Sequence, residues 1–149
     1  MKSTLSLAQY VKKRNGVPLG ASGSMTNMLS RAFGASSFWG FWQYWNPIWG
    51  YYLSRNIMRP LASFLPVSLA ILVTFLVSGA LHDIAVSIIK WKIVLFFTPW
   101  FGLMGFVVIV SKAVGISYGQ FSWIARAIIN ASLVFVSLGV TYFLESLYA

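Results

Sequence analysis

Residues 66–89 read PVSLAILVTFLVSGALHDIAVSII, a nearly unbroken apolar run with Arg59 and Pro60 before it and Lys90 and Lys92 after it. At 1.5 Å per residue a helix of that length crosses a hydrocarbon core of about 30 Å. The Lys90-Trp91-Lys92 corner then predicts a turn, followed by a second span over 93–110 with a kink at Pro99. A polar loop over 111–120 leads to a third span over 121–147. The predicted fold is an all-α integral membrane protein, a single membrane domain over 1–149.

Composition agrees. Of the 149 residues, 58% are hydrophobic and 17% aromatic, while only 9% are charged. A soluble domain carries about 25% charged residues, because its large surface must be hydrated. The mean hydropathy of +0.76 points to lipid as the solvent. Cysteine is absent, which excludes disulfides, Cys-ligated zinc, iron-sulfur clusters and thiol nucleophiles. One histidine and two acidic residues are too few for a protein-only metal cage, so no metal site is expected.

The net charge of +9 would suggest nucleic acid in a soluble protein. Placement argues for a membrane instead. Lys2, Lys12, Lys13, Arg14, Arg31, Arg55 and Arg59 precede the first span, and Lys90, Lys92, Lys112 and Arg126 flank the later ones. No basic helix or RNA-binding aromatic motif stands clear of the apolar runs. Counting basic flanks puts the amino terminus in the cytoplasm and the Lys90 turn outside, which in a bacterium means the inner membrane. The first apolar run starts too late, and lacks the cleavage site, for a secretory leader.

Upstream of the spans, residues 1–35 read as interfacial. Met1 to Arg14 predicts a short surface helix with Leu5, Ala8 and Val11 inward, stopped by Asn15, Gly16 and Pro18. After a Gly/Ser-rich loop, Met25, Met28, Leu29, Ala32 and Phe33 recur at helical spacing and end at Gly34. An amphipathic interfacial helix and an ordinary packing helix both fit that pattern.

Residues 36–60 are more distinctive. Ser36 or Ser37 caps FWGFWQYWNPIWGYY, two aromatic helical halves broken at Pro47, which disfavours helical geometry at Asn46. Trp and Tyr gather at the headgroup level in any membrane protein. A polar Asn beside a Pro in their midst needs another reason: inside hydrocarbon such a break survives only where protein or a water-lined cavity satisfies the freed backbone groups. This segment is expected to be re-entrant or amphipathic.

Thr74, Ser78 and His82 are spaced by four, giving the first span one polar stripe while Leu72, Val73, Leu76, Leu81, Ile84 and Ile88 meet lipid or other helices. An ionisable group within a span is costly and marks a functional cavity. Asp83 faces elsewhere, either pairing with Lys90 or lining the edge of the same cavity. In the third span, Asn130, Val134, Ser137, Thr141 and Glu145 form a stripe suited to joining helices by hydrogen bonds. The Gly115 to Gly119 spacing of a helix-dimerisation motif falls in the polar loop, and no internal repeat is evident.

With two acids in the whole chain and no Gly-rich loop followed by a Lys, a Ser/His/Asp set, paired carboxylates and a phosphate loop are not expected. A neutral imidazole can still remove a proton from an alcohol attacking an activated acyl carbonyl. Burial keeps the imidazole a free base. An Asn amide can orient the hydroxyl or donate to the developing oxyanion. Thioester donors are reactive enough for positioning and one base to suffice.

These residues resemble the membrane-bound O-acyltransferase family, in its wax-synthase-like branch. The resemblance runs over Ser37-Phe38-Trp39, Phe41-Trp42, Trp45-Asn46 and Arg59-Pro60-Leu61, then Thr74-Phe75-Leu76-Val77-Ser78-Gly79 and His82-Asp83. It covers about a third of the chain. It implies His82 as catalytic base and Asn46 as its assistant, with Trp42, Trp45, Thr74, Ser78 and Asp83 as candidate substrate contacts. It also implies an acyl-CoA or acyl carrier protein thioester as co-substrate, no bound cofactor, and a lipid-like alcohol as acceptor. Members of that family have more spans, so this chain is expected to complete its chamber as a homo-oligomer or with a partner membrane subunit, among membrane lipids. The alternative is a noncatalytic subunit or small channel-like assembly.

Overall fold

The structure, a computed structural model, describes residues 4–149. Among the described residues, three helices are long and apolar enough to cross a membrane: α6 (Val67–Lys90), α7 (Phe97–Val114) and α8 (Trp123–Glu145). The chain is therefore a multi-pass membrane protein. Five shorter helices precede them: α1 (Leu7–Asn15), α2 (Ser24–Phe33), α3 (Phe38–Tyr44), α4 (Pro47–Leu53) and α5 (Arg59–Ala62). A π-helical turn, Ser54–Met58, joins α4 to α5 without interruption.

Local chemistry sets the helix ends. Ser6 caps α1 in a reciprocal pair with Gln9, so helix begins at Leu7; Met1 to Ser3 of the expected surface helix lie outside the described residues. Val11 is buried and Leu5 half-buried, but Ala8 is exposed, because α1 leans on its Tyr10 and Val11 side. α2 ends at Gly34 as its spacing predicts; Ala32 is buried while Met25 remains 65% exposed. Ser37 caps α3, its hydroxyl accepting from the Gly40 amide at 3.0 Å.

The second span differs from its sequence reading in start, end and shape. Residues 93–96 are not helical, and α7 begins four residues later than expected, at Phe97. The cause is Asp83, whose carboxylate gathers the amides of Phe96, Phe97 and Thr98 at 2.8–2.9 Å and so fixes the first turn there. Pro99 consequently falls in that first turn, where its missing N–H has no intrahelical role, and it does not kink the span. α7 runs on through Ser111 to Val114 and stops at Gly115, which adopts φ 77°.

α6 and α7 form the tightest pair. A Cβ on Gly79 would stand 2.5 Å from the Phe97 carbonyl oxygen, so the missing side chain is what lets the start of α7 close on α6. Phe38 and Phe41 of α3 join Ala32 and Ala35, Ile71 of α6, and Met104 and Val108 of α7 in one core. α8 is tied on by Asn130, which is fully buried: its Nδ2 donates to the carbonyls of Phe33 (2.8 Å) and Ala35 (3.0 Å), and its Oδ1 accepts from the Tyr118 hydroxyl. Ser137 and Thr141, also buried, bond back to carbonyls of their own helix instead of crossing to another.

Charge is sorted along the molecule. Arg126 donates to the Gly34 carbonyl and Arg31 to that of Arg14, which gathers these cations at the end where α6 starts and α7 stops, with Arg59 and Lys112. Both acids lie toward the other end: Asp83 at the start of α7, and Glu145 at the end of α8, where the Tyr148 hydroxyl reaches the Leu95 carbonyl.

Candidate functional site

Asn46 and Pro47 make the break in the aromatic segment. Asn46 takes φ 42°, a left-handed backbone that Asn tolerates better than most residues. Its Oδ1 caps α4 by accepting from the Trp49 amide at 3.3 Å, and Pro47 occupies the first helical position. The freed Asn46 amide lies 3.3 Å from the Met28 sulfur of α2. Protein, not lipid, therefore satisfies the break. The Asn46 Nδ2 has no hydrogen bond among the described residues, and the side chain is exposed.

The cap aims Trp49. Its indole N–H donates to the Ser78 hydroxyl at 2.9 Å, and its ring stands edge-on to His82 at 5.9 Å and 87°. Phe97 (5.5 Å) and Phe101 (5.0 Å), one turn apart on α7, form the opposite wall. His82 is half-buried between these three rings. At 1.5 Å per residue it lies about 22 Å from the start of α6 and about 12 Å from its end.

His82 Nδ1 lies 2.7 Å from the Ser78 carbonyl oxygen. A carbonyl only accepts, so Nδ1 carries a proton, and in the uncharged form of the ring the lone pair is at Nε2. No hydrogen bond occupies Nε2 among the described residues.

Asp83, next in the chain, turns away from the ring. Both its oxygens are engaged by the start of α7, including the Thr98 hydroxyl at 2.6 Å. Neither an ion pair with Lys90 nor an open position on the cavity edge is found; its carboxylate holds Phe97 and, a turn later, Phe101 against His82. The N-terminal partial charge of α7 and three amides stabilise the carboxylate there.

Of the remaining candidates, Ser78 is buried and touches both Trp49 and His82. Thr74 bonds back to the Ala70 carbonyl at 2.6 Å, one turn short of the cluster. Trp42 packs edge-on against Phe75, with its indole nitrogen buried and unpaired, and sits 6.5 Å from Phe101, one ring removed from His82. Trp45 stacks on Phe41 at 5.6 Å and has no ring contact with His82. The residues missed by sequence reasoning are Trp49, Phe97 and Phe101. Trp49 had a usable signal, since the third residue after an Asn-Pro cap is the one whose amide the cap receives.

No group of three or more metal-ligating side chains occurs among the described residues. Comparison with protein-family models, with curated proteins and with solved structures finds no match.

Proposed function

We propose that this chain is a membrane-bound O-acyltransferase, with His82 as general base. One observation carries the reading: the 2.7 Å bond from Nδ1 to the Ser78 carbonyl, which leaves Nε2 free within an aromatic wall inside a membrane span. The donor is an acyl-CoA or carrier-protein thioester, and the acceptor a lipid-like alcohol. Nε2 takes the hydroxyl proton as the alcohol oxygen bonds to the thioester carbonyl carbon. The carbon–sulfur bond then breaks, and the leaving thiolate takes the proton from the imidazolium.

Asn46 assists through its free Nδ2, which can orient the hydroxyl or donate to the oxyanion. Trp49 connects the two residues, its amide on Asn46 and its ring on His82. Three spans leave long apolar faces uncovered, such as Ile124, Ile128 and Phe135 of α8. A second copy or a partner membrane subunit completes the chamber against part of that surface, and lipid covers the rest. The cation-rich end faces the cytoplasm and the Lys90 turn the opposite side, in keeping with the excess of Lys and Arg at the former.

A noncatalytic membrane subunit is the second reading. It is favoured by the structural duties of Asn46, which caps α4, and Asp83, which caps α7. Incubating the reconstituted chain with a long-chain acyl thioester and a long-chain alcohol separates them. Ester detected by mass spectrometry supports the acyltransferase; no ester with any acyl length or alcohol class leaves the subunit reading.

A further inference from the structure

The π-helical turn between α4 and α5 carries a second site, independent of the acyl-transfer reading. π-turns are rare and often mark functional positions, because the extra residue per turn shifts the side chains that follow. Here the turn presents Arg55 and Arg59 beside Ser54 in a cleft shared with Tyr51 and with Tyr10 of α1. Tyr10 stands edge-on to Tyr51 at 5.6 Å. Arg14 covers Tyr10 at 5.2 Å, and Arg55 covers Tyr51 at 5.8 Å. Two cations are thus spaced by two phenol rings packed edge to face.

None of these arginines has an acidic partner. The chain has only two acids, of which Asp83 is engaged by α7 and Glu145 ends α8. The donors are also incompletely used. Tyr51 is only 8% exposed, yet its hydroxyl accepts from Arg55 Nη1 at 2.5 Å and finds no acceptor for its own hydrogen among the described residues. The cleft is lined by the guanidinium groups of Arg55 and Arg59 and the hydroxyls of Thr4, Tyr10, Tyr51 and Ser54, and by no carboxylate. A tetrahedral oxyanion with several acceptor oxygens satisfies such a set, and arginine forks match phosphate in particular. Arg55 and Arg59 lie just ahead of α6, at the cation-rich end of the molecule, where a membrane presents its headgroups.

We infer that the exposed Arg55 and Arg59, at the opening of the Tyr51-Ser54 cleft that itself has room for about one water, bind a phosphate group carried by an anionic lipid headgroup or by a water-soluble phosphate ligand. The full chain in detergent is titrated with phosphatidylglycerol and with phosphatidylcholine, and retained lipid is read by native mass spectrometry. Phosphatidylglycerol is expected to be retained about tenfold more strongly. Arg55→Gln with Arg59→Gln removes about tenfold, and Tyr51→Phe, which keeps the ring and removes only the hydroxyl, about threefold. Lys12→Gln with Lys13→Gln removes equal charge from exposed positions outside the cleft and leaves retention within about twofold. Displacement by millimolar inorganic pyrophosphate assigns the site to a soluble phosphate ligand; retention in its presence assigns it to lipid. Equal retention of the two lipids without pyrophosphate binding overturns the inference, as does an equal loss in the lysine pair and the arginine pair.

Discussion

Trp49 stands edge-on to His82, their ring centroids 5.9 Å apart at 87°, while its indole N–H is held by Ser78, one turn before the histidine on the same helix. α4 thereby reads two successive positions of the polar stripe on α6. The orientation of Trp49 is fixed twice, by the Asn46 cap at its amide and by Ser78 at its indole. The ring beside it has little freedom to turn.

The tautomer of His82 follows from that geometry. The chain has a single histidine, so one imidazole label reports on this ring alone. Solid-state nitrogen NMR of the labelled protein in lipid is expected to show that the uncharged ring carries its proton on Nδ1 and none on Nε2. A signal from the opposite tautomer would contradict the Ser78 bond.

Asp83 holds the second wall of the site through four hydrogen bonds from Phe96, Phe97 and Thr98. Asp83→Asn keeps the shape but replaces one acceptor oxygen with a donor facing amides. The expected cost is about 3 kcal/mol, read as a lower thermal midpoint in detergent. Activity should fall with it, because Phe97 and Phe101 lose their anchor. Lys90→Gln, which removes the partner expected from sequence, should leave the midpoint unchanged.

Gly79 is where α6 and α7 come closest. A methyl group there meets backbone atoms of Phe97 at 2.5 Å and Thr98 at 2.7 Å, which cannot rotate away. Gly79→Ala is expected to destabilise by about 1–3 kcal/mol. Gly139→Ala in α8, whose added Cβ meets nothing within 4 Å, serves as the control and should be neutral or slightly stabilising.

The Tyr118 hydroxyl, buried in the loop between α7 and α8, donates to Asn130, and burial pushes its pKa from 10.0 up to about 12. Below pH 10 both folded and unfolded chains hold this proton, and the stabilisation is fully present. Between pH 10 and about 12 the unfolded chain releases it first, so stability is lost as pH rises. Tyr118→Phe should lower the midpoint at neutral pH, since Asn130 Oδ1 loses its donor, and should reduce the decline across that alkaline window. Parallel alkaline curves for the two proteins would contradict the assignment.

The spans, the aromatic break and the Lys90 turn were legible because hydrophobic run length, Pro chemistry and flanking charge are local signals. Gly34 and Ser37 likewise mark helix ends by their own residue chemistry. What escaped was the start of α7, since Asp83 reaches across thirteen or more positions to set it. The stripe of Thr74, Ser78 and His82 was visible as spacing, but spacing does not say that Thr74 bonds back to its own helix while Ser78 meets Trp49. The spacing of Asn130 predicts a helix-joining residue, and it joins α8 to the end of α2. Ser137 and Thr141 share its periodicity, yet their short hydroxyls reach carbonyls of their own helix first.

The most direct test of His82 as base is single-turnover ester formation by His82→Ala in protein reconstituted in lipid, with helix content and oligomeric state measured on the same sample. The expected result is loss of transfer by about a hundredfold or more while both structural measures match the wild type. Transfer at the wild-type rate would contradict it, as would a loss that appears only together with disassembly.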